Sequence, residues 1–139
     1  MNIYYEVSIE QSGWQPVVSN GALAGAVGNN APIEAIRIWI DNGSGPLITV
    51  EYAAYVQNQG WQQPVTNKGL AGTTGQNLEI EGLWIKLSSG APKGLGVVYQ
   101  ASCMKFGWQQ LQMNGTPTGL HYETGIEAIQ IVLAYTGNS

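Results

Sequence analysis

Apolar and polar residues alternate with period two along several stretches of the chain. Tyr5, Val7 and Ile9 are separated by Glu6 and Ser8, and Ile36, Ile38 and Ile40 by Arg37 and Trp39. The pattern returns at Leu83, Ile85, Leu87 and at Ile129, Ile131, Leu133. Alternation over such lengths predicts strands with one face in a core. No segment sustains a period of 3.6, so helix content should be near zero. Between the long strands stand Gly-Trp-Gln and a Gly-rich stretch, room for two shorter strands.

The strands recur because the chain repeats itself. Gly-Trp-Gln occurs at Gly13-Trp14-Gln15, Gly60-Trp61-Gln62 and Gly107-Trp108-Gln109, spaced by 47 residues both times. Ile-Glu-Ala or Ile-Glu-Gly follows at Ile33-Glu34-Ala35, Ile80-Glu81-Gly82 and Ile126-Glu127-Ala128. Tyr5, Tyr52 and Tyr99 precede each Trp, while Asn20, Asn67, Asn114 and Gly25, Gly72, Gly119 follow in phase. The chain therefore divides into units of roughly 1–45, 46–93 and 94–139. One such unit is too small to bury a good core, which predicts a single all-β domain, 1–139, with pseudo-threefold symmetry. The joints, at residues 41–46 and 88–94, have turn compositions. A β-trefoil is the leading expectation for the closure and a β-prism the alternative; both hide most sheet edges.

Composition narrows the partners. Among 139 residues only 10% are charged, with five Lys and Arg against nine Asp and Glu. A net charge of −4 makes a phosphate-tracking surface, and so a nucleic-acid partner, a poor expectation. Polarity resides in amides, hydroxyls and 19 Gly, beside five Trp and seven Tyr but one Phe. Aromatic residues with an apolar face and a polar edge suit neutral polar ligands such as mono- and oligosaccharides. The single Cys excludes an internal disulfide, and Cys103 aligns with Ile9 and Val56 at a core position. No apolar run is long enough for a transmembrane helix, and Met-Asn-Ile-Tyr-Tyr-Glu does not read as a signal peptide.

Each repeated residue has a structural and a binding reading. Trp14, Trp61 and Trp108 either close each unit as core aromatics or give a sugar ring a flat platform. Glu34, Glu81 and Glu127 share the parity of the core aliphatics and must be paired or hydrogen-bonded. Their expected partners are amides of the Gly-rich loop just before each; at a pocket mouth they would accept sugar hydroxyls. Asn20, Asn67 and Asn114 fit turns, and like Gln15, Gln62 and Gln109 they offer donors and acceptors to vicinal hydroxyls. Trp39 and Trp84 fall on the opposite parity from their aliphatic neighbours and should face outward as candidate aromatic contacts. His121 and Tyr122, in the loop that departs from the repeat, are further candidates. No catalytic group, metal set or cofactor is expected: the only His, Asp41 and three symmetry-related Glu make no recognisable constellation.

Gly60-Trp61-Gln62, Gly69-Leu70-Ala71-Gly72-Thr73-Thr74-Gly75 and Ile80 to Leu87 form a motif that resembles the clostridial hydrophobic repeat with a conserved tryptophan, the ChW repeat. Unit 1 keeps Gly13-Trp14-Gln15, Asn20-Gly21, Ala24-Gly25 and Ile33-Glu34-Ala35-Ile36; unit 3 keeps Gly107-Trp108 and Ile126-Glu127-Ala128-Ile129 but loses the Gly-Thr-Thr-Gly loop. The resemblance implies a secreted or cell-surface protein of Gram-positive bacteria that binds carbohydrate or other surface ligands. With no leader legible in the chain, a cytoplasmic location also stays open. The expectation is a non-enzymatic lectin with up to three symmetry-related sites and glycans as partners. A surface adhesion or protein-interaction domain is the alternative, and a homo-oligomer is compatible with both.

Overall fold

A computed structural model describes residues 1–88, 90–120 and 124–135. Unit 1 contributes β1 (Asn2–Ile9), β2 (Gly13–Trp14), β3 (Val18–Ser19), β4 (Ala24–Gly25) and β5 (Ile33–Asp41). Unit 2 contributes β6 (Val50–Val56), β7 (Gly60–Trp61), β8 (Val65–Thr66), β9 (Ala71–Gly72) and β10 (Ile80–Leu87). Unit 3 contributes β11 (Leu95–Cys103), β12 (Gly107–Trp108), β13 (Gln112–Met113), β14 (Thr118–Gly119) and β15 (Ile126–Tyr135). No helix occurs among the described residues. The long strands lie where the alternation predicts them. Each unit has three two-residue strands instead of two short ones, because the third pairs with a neighbouring unit and leaves no local pattern to read.

The long strands pair antiparallel within each unit: β1 with β5, β6 with β10 and β11 with β15. Each pairing carries a register shift near its Ile-Glu anchor. Ser8 opposes Ala35 while Ile9 opposes Ile33, leaving Glu34 as the extra residue. Glu81 and Glu127 are skipped in the same way. A bulge of this kind re-aims one side chain relative to the pleat.

The units are joined by a cyclic exchange. β9 of unit 2 pairs with β5 of unit 1, β14 of unit 3 with β10 of unit 2, and β4 of unit 1 with β15 of unit 3. Three five-stranded sheets result, each finished by a strand from the next unit; they remain open and do not close a barrel. Backbone bonds beyond the ladders repeat the exchange: Gly21 N–H donates to Ile131 C=O (2.7 Å), Lys68 N–H to Ile38 C=O (2.9 Å) and Gly115 N–H to Ile85 C=O (2.7 Å). The docking glycines adopt φ of 85° at Gly25, 92° at Gly72 and 86° at Gly119. A Cβ on Gly25 or Gly72 would overlap the carbonyl oxygen of Glu127 or Glu34 on the neighbouring unit. The repeated glycine is thus required twice over, by backbone conformation and by close approach.

All three units feed one hydrophobic cluster, built on Ile, Val and Ala from the long strands, with Cys103 buried as its alignment predicts. At its unit boundaries lie Tyr5, Tyr52 and Tyr99, each fully buried. The Tyr5 hydroxyl donates to Ala22 C=O and accepts from Ile131 N–H. Tyr52 donates to Gly69 C=O (2.5 Å) and accepts from Ile38 N–H (3.0 Å). Tyr99 donates to Thr116 C=O (2.5 Å). Burial raises the pKa of all three phenols, that of Tyr52 to about 12.

Two expected outcomes follow from these joints. Gly72→Ala should cost about 2–4 kcal/mol in urea unfolding, combining left-handed strain with a backbone clash, whereas Gly13→Ala, where a Cβ would meet open space, should cost about 1 kcal/mol. Equal losses would show that the seam contact is not limiting. Tyr52→Phe should cost about 1–3 kcal/mol at neutral pH by leaving buried backbone groups unpaired. Because the folded pKa lies above the unfolded value near 10, the phenol's contribution is whole below pH 10 and is lost as pH rises through about 12. The variant should therefore show a shallower alkaline decline by circular dichroism.

Candidate functional site

The Gly-Trp hairpins turn their indoles outward. Trp14, Trp61 and Trp108 are 37%, 42% and 41% exposed, so they are surface residues and not the core or cap aromatics that identical repetition could also imply. Each occupies a two-residue strand that pairs with the outer end of a long strand, opposite Ser8, Tyr55 or Ser102. Their surroundings differ. The Arg37 guanidinium lies 4.3 Å above the Trp14 ring and is paired with Glu6 at 3.2 Å. Tyr55 meets Trp61 edge-on at 5.4 Å.

The repeated glutamates are buried: Glu34 is 5%, Glu81 4% and Glu127 3% exposed. Glu34 accepts from Ser8 Oγ (2.6 Å) and from Gly75 N–H of unit 2 (3.2 Å). Glu127 accepts from Ser102 Oγ (3.4 Å) and from Gly28 N–H of unit 1 on both oxygens (3.2 Å). The amide donor therefore comes from the next unit's Gly-rich loop and not from the loop preceding the glutamate, because the cyclic exchange carries that loop onto the neighbour. The serine hydroxyls have no signal in the alternation, which assigns Ser8 to the outer face; the bulge at Glu34 brings them together. In unit 2 Tyr55 replaces the serine. Burial raises the Glu81 pKa, and Glu79 is raised by burial, then by the Glu81 and Glu10 charges. Glu10 is raised by burial and by Glu34.

The repeated amides are also committed. Asn20, Asn67 and Asn114 accept from Ile3, Val50 and Val97 N–H through Oδ1, at 3.0, 2.9 and 3.0 Å. Gln15 and Gln109 donate to Gly13 and Gly107 C=O, while Gln62 accepts from Gly72 N–H at 2.7 Å. Trp39 and Trp84 lie on the outer face as their parity predicts, but half-buried. Trp39 stacks on Tyr4 at 5.9 Å with Lys68 Nζ 5.2 Å from its ring, and Lys86 lies over Trp84. His121 and Tyr122 lie outside the described residues.

Two recesses gather these groups. One, of about 400 Å³, is lined by Tyr55, Asn58, Gln59, Gly60 and Glu81. It brings the predicted Glu81 beside Tyr55, whose ring carries Trp61. The other, of about 430 Å³, lies at the joint of units 1 and 2 and brings the predicted Trp39 and Asn67 together with Asp41, Asn42 and Lys68. Tyr4, Tyr55, Asn58, Gln59 and Lys68 escape a search for repeated residues because they are where the copies disagree. Tyr4 aligns with Glu51 and Val98, and Lys68 with Gly21 and Gly115.

The raised carboxyls set a pH dependence. A carboxyl whose folded pKa exceeds its unfolded value stabilises the fold fully below the unfolded value, and that contribution is lost as pH rises through the folded one. Glu10, Glu79 and Glu81 should therefore make the protein melt at a lower temperature at pH 7.5 than at pH 5. Glu79→Gln, which removes a charge beside Glu81 and Glu10, should narrow that difference in calorimetric scans. An unchanged difference would show that these carboxyls do not govern it.

The family model Clostridial hydrophobic W (ChW) matches residues 9–42 and 55–89. No curated protein and no solved structure matches the chain. The matched segments span the Gly-Trp hairpins, the docking strands and the Ile-Glu anchors of units 1 and 2, and unit 3 repeats their strand pairings outside the matched segments. The chain belongs to the Clostridial hydrophobic W repeat family.

Proposed function

We propose that the protein is a non-enzymatic carbohydrate-binding module of the cell surface or its surroundings, with up to three aromatic platforms at its Gly-Trp hairpins. The observation that carries this reading is the unit 2 recess. There the Tyr55 ring, which the exposed Trp61 meets edge-on, shares a recess with two side-chain amides, Asn58 and Gln59, and a buried carboxyl, Glu81. A flat apolar face beside convergent donors and acceptors suits the C–H face and hydroxyl rim of a neutral sugar. The platforms are unequal. Trp14 is covered by Arg37, so unit 1 should bind more weakly than unit 2. Weak single sites gain apparent affinity when several engage together, and a rigid cyclic scaffold holds them at fixed separations. Three separate sheets around one core favour the β-prism over the β-trefoil, whose long strands would close a barrel.

A second reading rests on unit 3. Val132, Val98 and Met113 form an apolar row across three strands of the outer face, which fits a protein-interaction surface. Self-association or partner capture without glycan binding would favour it.

Trp61→Ala should weaken binding of a hit from a glycan array about tenfold, the equivalent of ~1.4 kcal/mol of lost stacking, in titration calorimetry. Trp14→Ala should change it little. Binding should also fall as pH drops through the raised pKa of Glu81, since a protonated carboxyl accepts sugar hydroxyls less well. Folded protein that binds no glycan at any pH would refute the reading.

A further inference from the structure

We propose that the cavity at the joint of units 1 and 2 is a single, asymmetric site for a carboxylate-bearing sugar of the hexuronate class, distinct from the three hairpin platforms. This inference rests on the reading of the protein as a saccharide binder but concerns different residues and a different ligand charge.

Two departures from the repeat line this cavity and a third stacks on one of them. Trp39 aligns with Lys86 and Val132, its cross-strand neighbour Tyr4 aligns with Glu51 and Val98, and Lys68 aligns with Gly21 and Gly115. Among the described residues, only at this seam do an indole, a second aromatic ring stacked on it at 5.9 Å and a lysine ammonium 5.2 Å from it occur together. The Lys68 position carries the clearest mark. Its backbone is left-handed, at φ 66°, as are the glycines at the other two seams, φ 87° for Gly21 and 93° for Gly115. The same inter-unit backbone bond forms at all three seams, so the fold needs only a glycine there. A lysine accepts left-handed strain at this seam and brings its side chain to a cavity wall. Backbone strain of that sort, held in place by surrounding structure, points to a role for the side chain.

The lining defines the ligand. Lys68 forms no ion pair with a carboxylate among the described residues, unlike Arg37 with Glu6 and Lys86 with Glu51. In a chain with only five Lys and Arg, it is a cation held against an aromatic ring without a counterion. Asn67 Oδ1 is occupied by Val50 N–H and Asn42 Nδ2 by Pro46 C=O, so one amide presents its nitrogen and the other its oxygen as the remaining polar group. Asp41 Oδ1 takes Gly43 N–H, leaving its other oxygen as an acceptor. A pyranose ring seated in the cavity beside Trp39 would meet these groups with its hydroxyls. A carboxylate attached directly to that ring would reach Lys68 and form an ion pair, which a neutral hexose cannot. A volume of about 430 Å³ accommodates such a ring.

The test uses the full chain, glucuronate and galacturonate, and the neutral parents glucose and galactose. Nuclear magnetic resonance titration follows the indole N–H signals of Trp39 and Trp61 separately. The expected result is saturable movement of the Trp39 signal by at least one hexuronate at one equivalent per chain, with the neutral parent at least tenfold weaker. Lys68→Gly should weaken hexuronate binding tenfold or more while keeping or raising the melting temperature, since it restores the residue found at the other seams. Lys93→Ala, a cation outside the cavity, should leave it unchanged. The proposal is overturned if no hexuronate moves the Trp39 signal, if parent and hexuronate bind equally, or if Lys68→Gly binds as tightly as the natural chain. Movement of the Trp61 signal by neutral sugars, with Trp39 silent, would sink this site and leave the hairpin platforms standing.

Discussion

Every part of this molecule depends on one short backbone contact made three times. A Gly-rich segment from each unit lies against the last long strand of the preceding unit, so closely that the contacting residue must be glycine. The contact runs in a cycle, unit 2 onto 1, unit 3 onto 2 and unit 1 onto 3. A cycle of mutual edges solves the problem that limits small β units. None has enough apolar surface to fold alone, and each would otherwise leave a sheet edge unpaired.

The cycle also explains the buried polar residues. A tyrosine hydroxyl at each unit boundary meets a carbonyl of its own unit and, at Tyr5 and Tyr52, an amide of the neighbour. Glu34 and Glu127 sit on bulges and take the amide of a glycine in the incoming loop. Buried polar groups are costly when unpaired and specific when paired. Here Tyr5, Tyr52, Glu34 and Glu127 are paired across the seams, so they fix which segment docks where. A shifted docking would leave a carboxylate and a phenol without partners at once.

What repeats and what does not therefore divide by role. The repeated Asn, Gln, Glu, Gly and Tyr are taken up by turns, seams and the core. The repeated Trp is the exception, since it repeats yet remains on the surface. Residues that differ between copies gather at two recesses: Tyr55 beside Glu81, and Trp39 and Lys68 at the first joint, with Tyr4 stacked on Trp39. A threefold scaffold needs equivalence inside and permits divergence outside, and the proposed sites draw on those divergent positions.

The sequence alone determined the class of structure and its period. Alternation placed the long strands from Tyr5 to Ile9 and Ile36 to Ile40, and the phase of Gly-Trp-Gln and Ile-Glu counted the units, because both are local signals of which face meets the core. It also foretold that Cys103 is buried and that Trp39 and Trp84 point outward. Only the tertiary structure decided the rest. That Gly75 serves Glu34 and Gly28 serves Glu127 depends on which unit docks on which, and no local pattern encodes a partner 41 or 99 residues away. The exposure of Trp14, Trp61 and Trp108 was undecidable from strands two residues long, which carry no alternation. The cavity joining Trp39 to Lys68 exists only because unit 2 docks on unit 1, since it is lined by residues of both units.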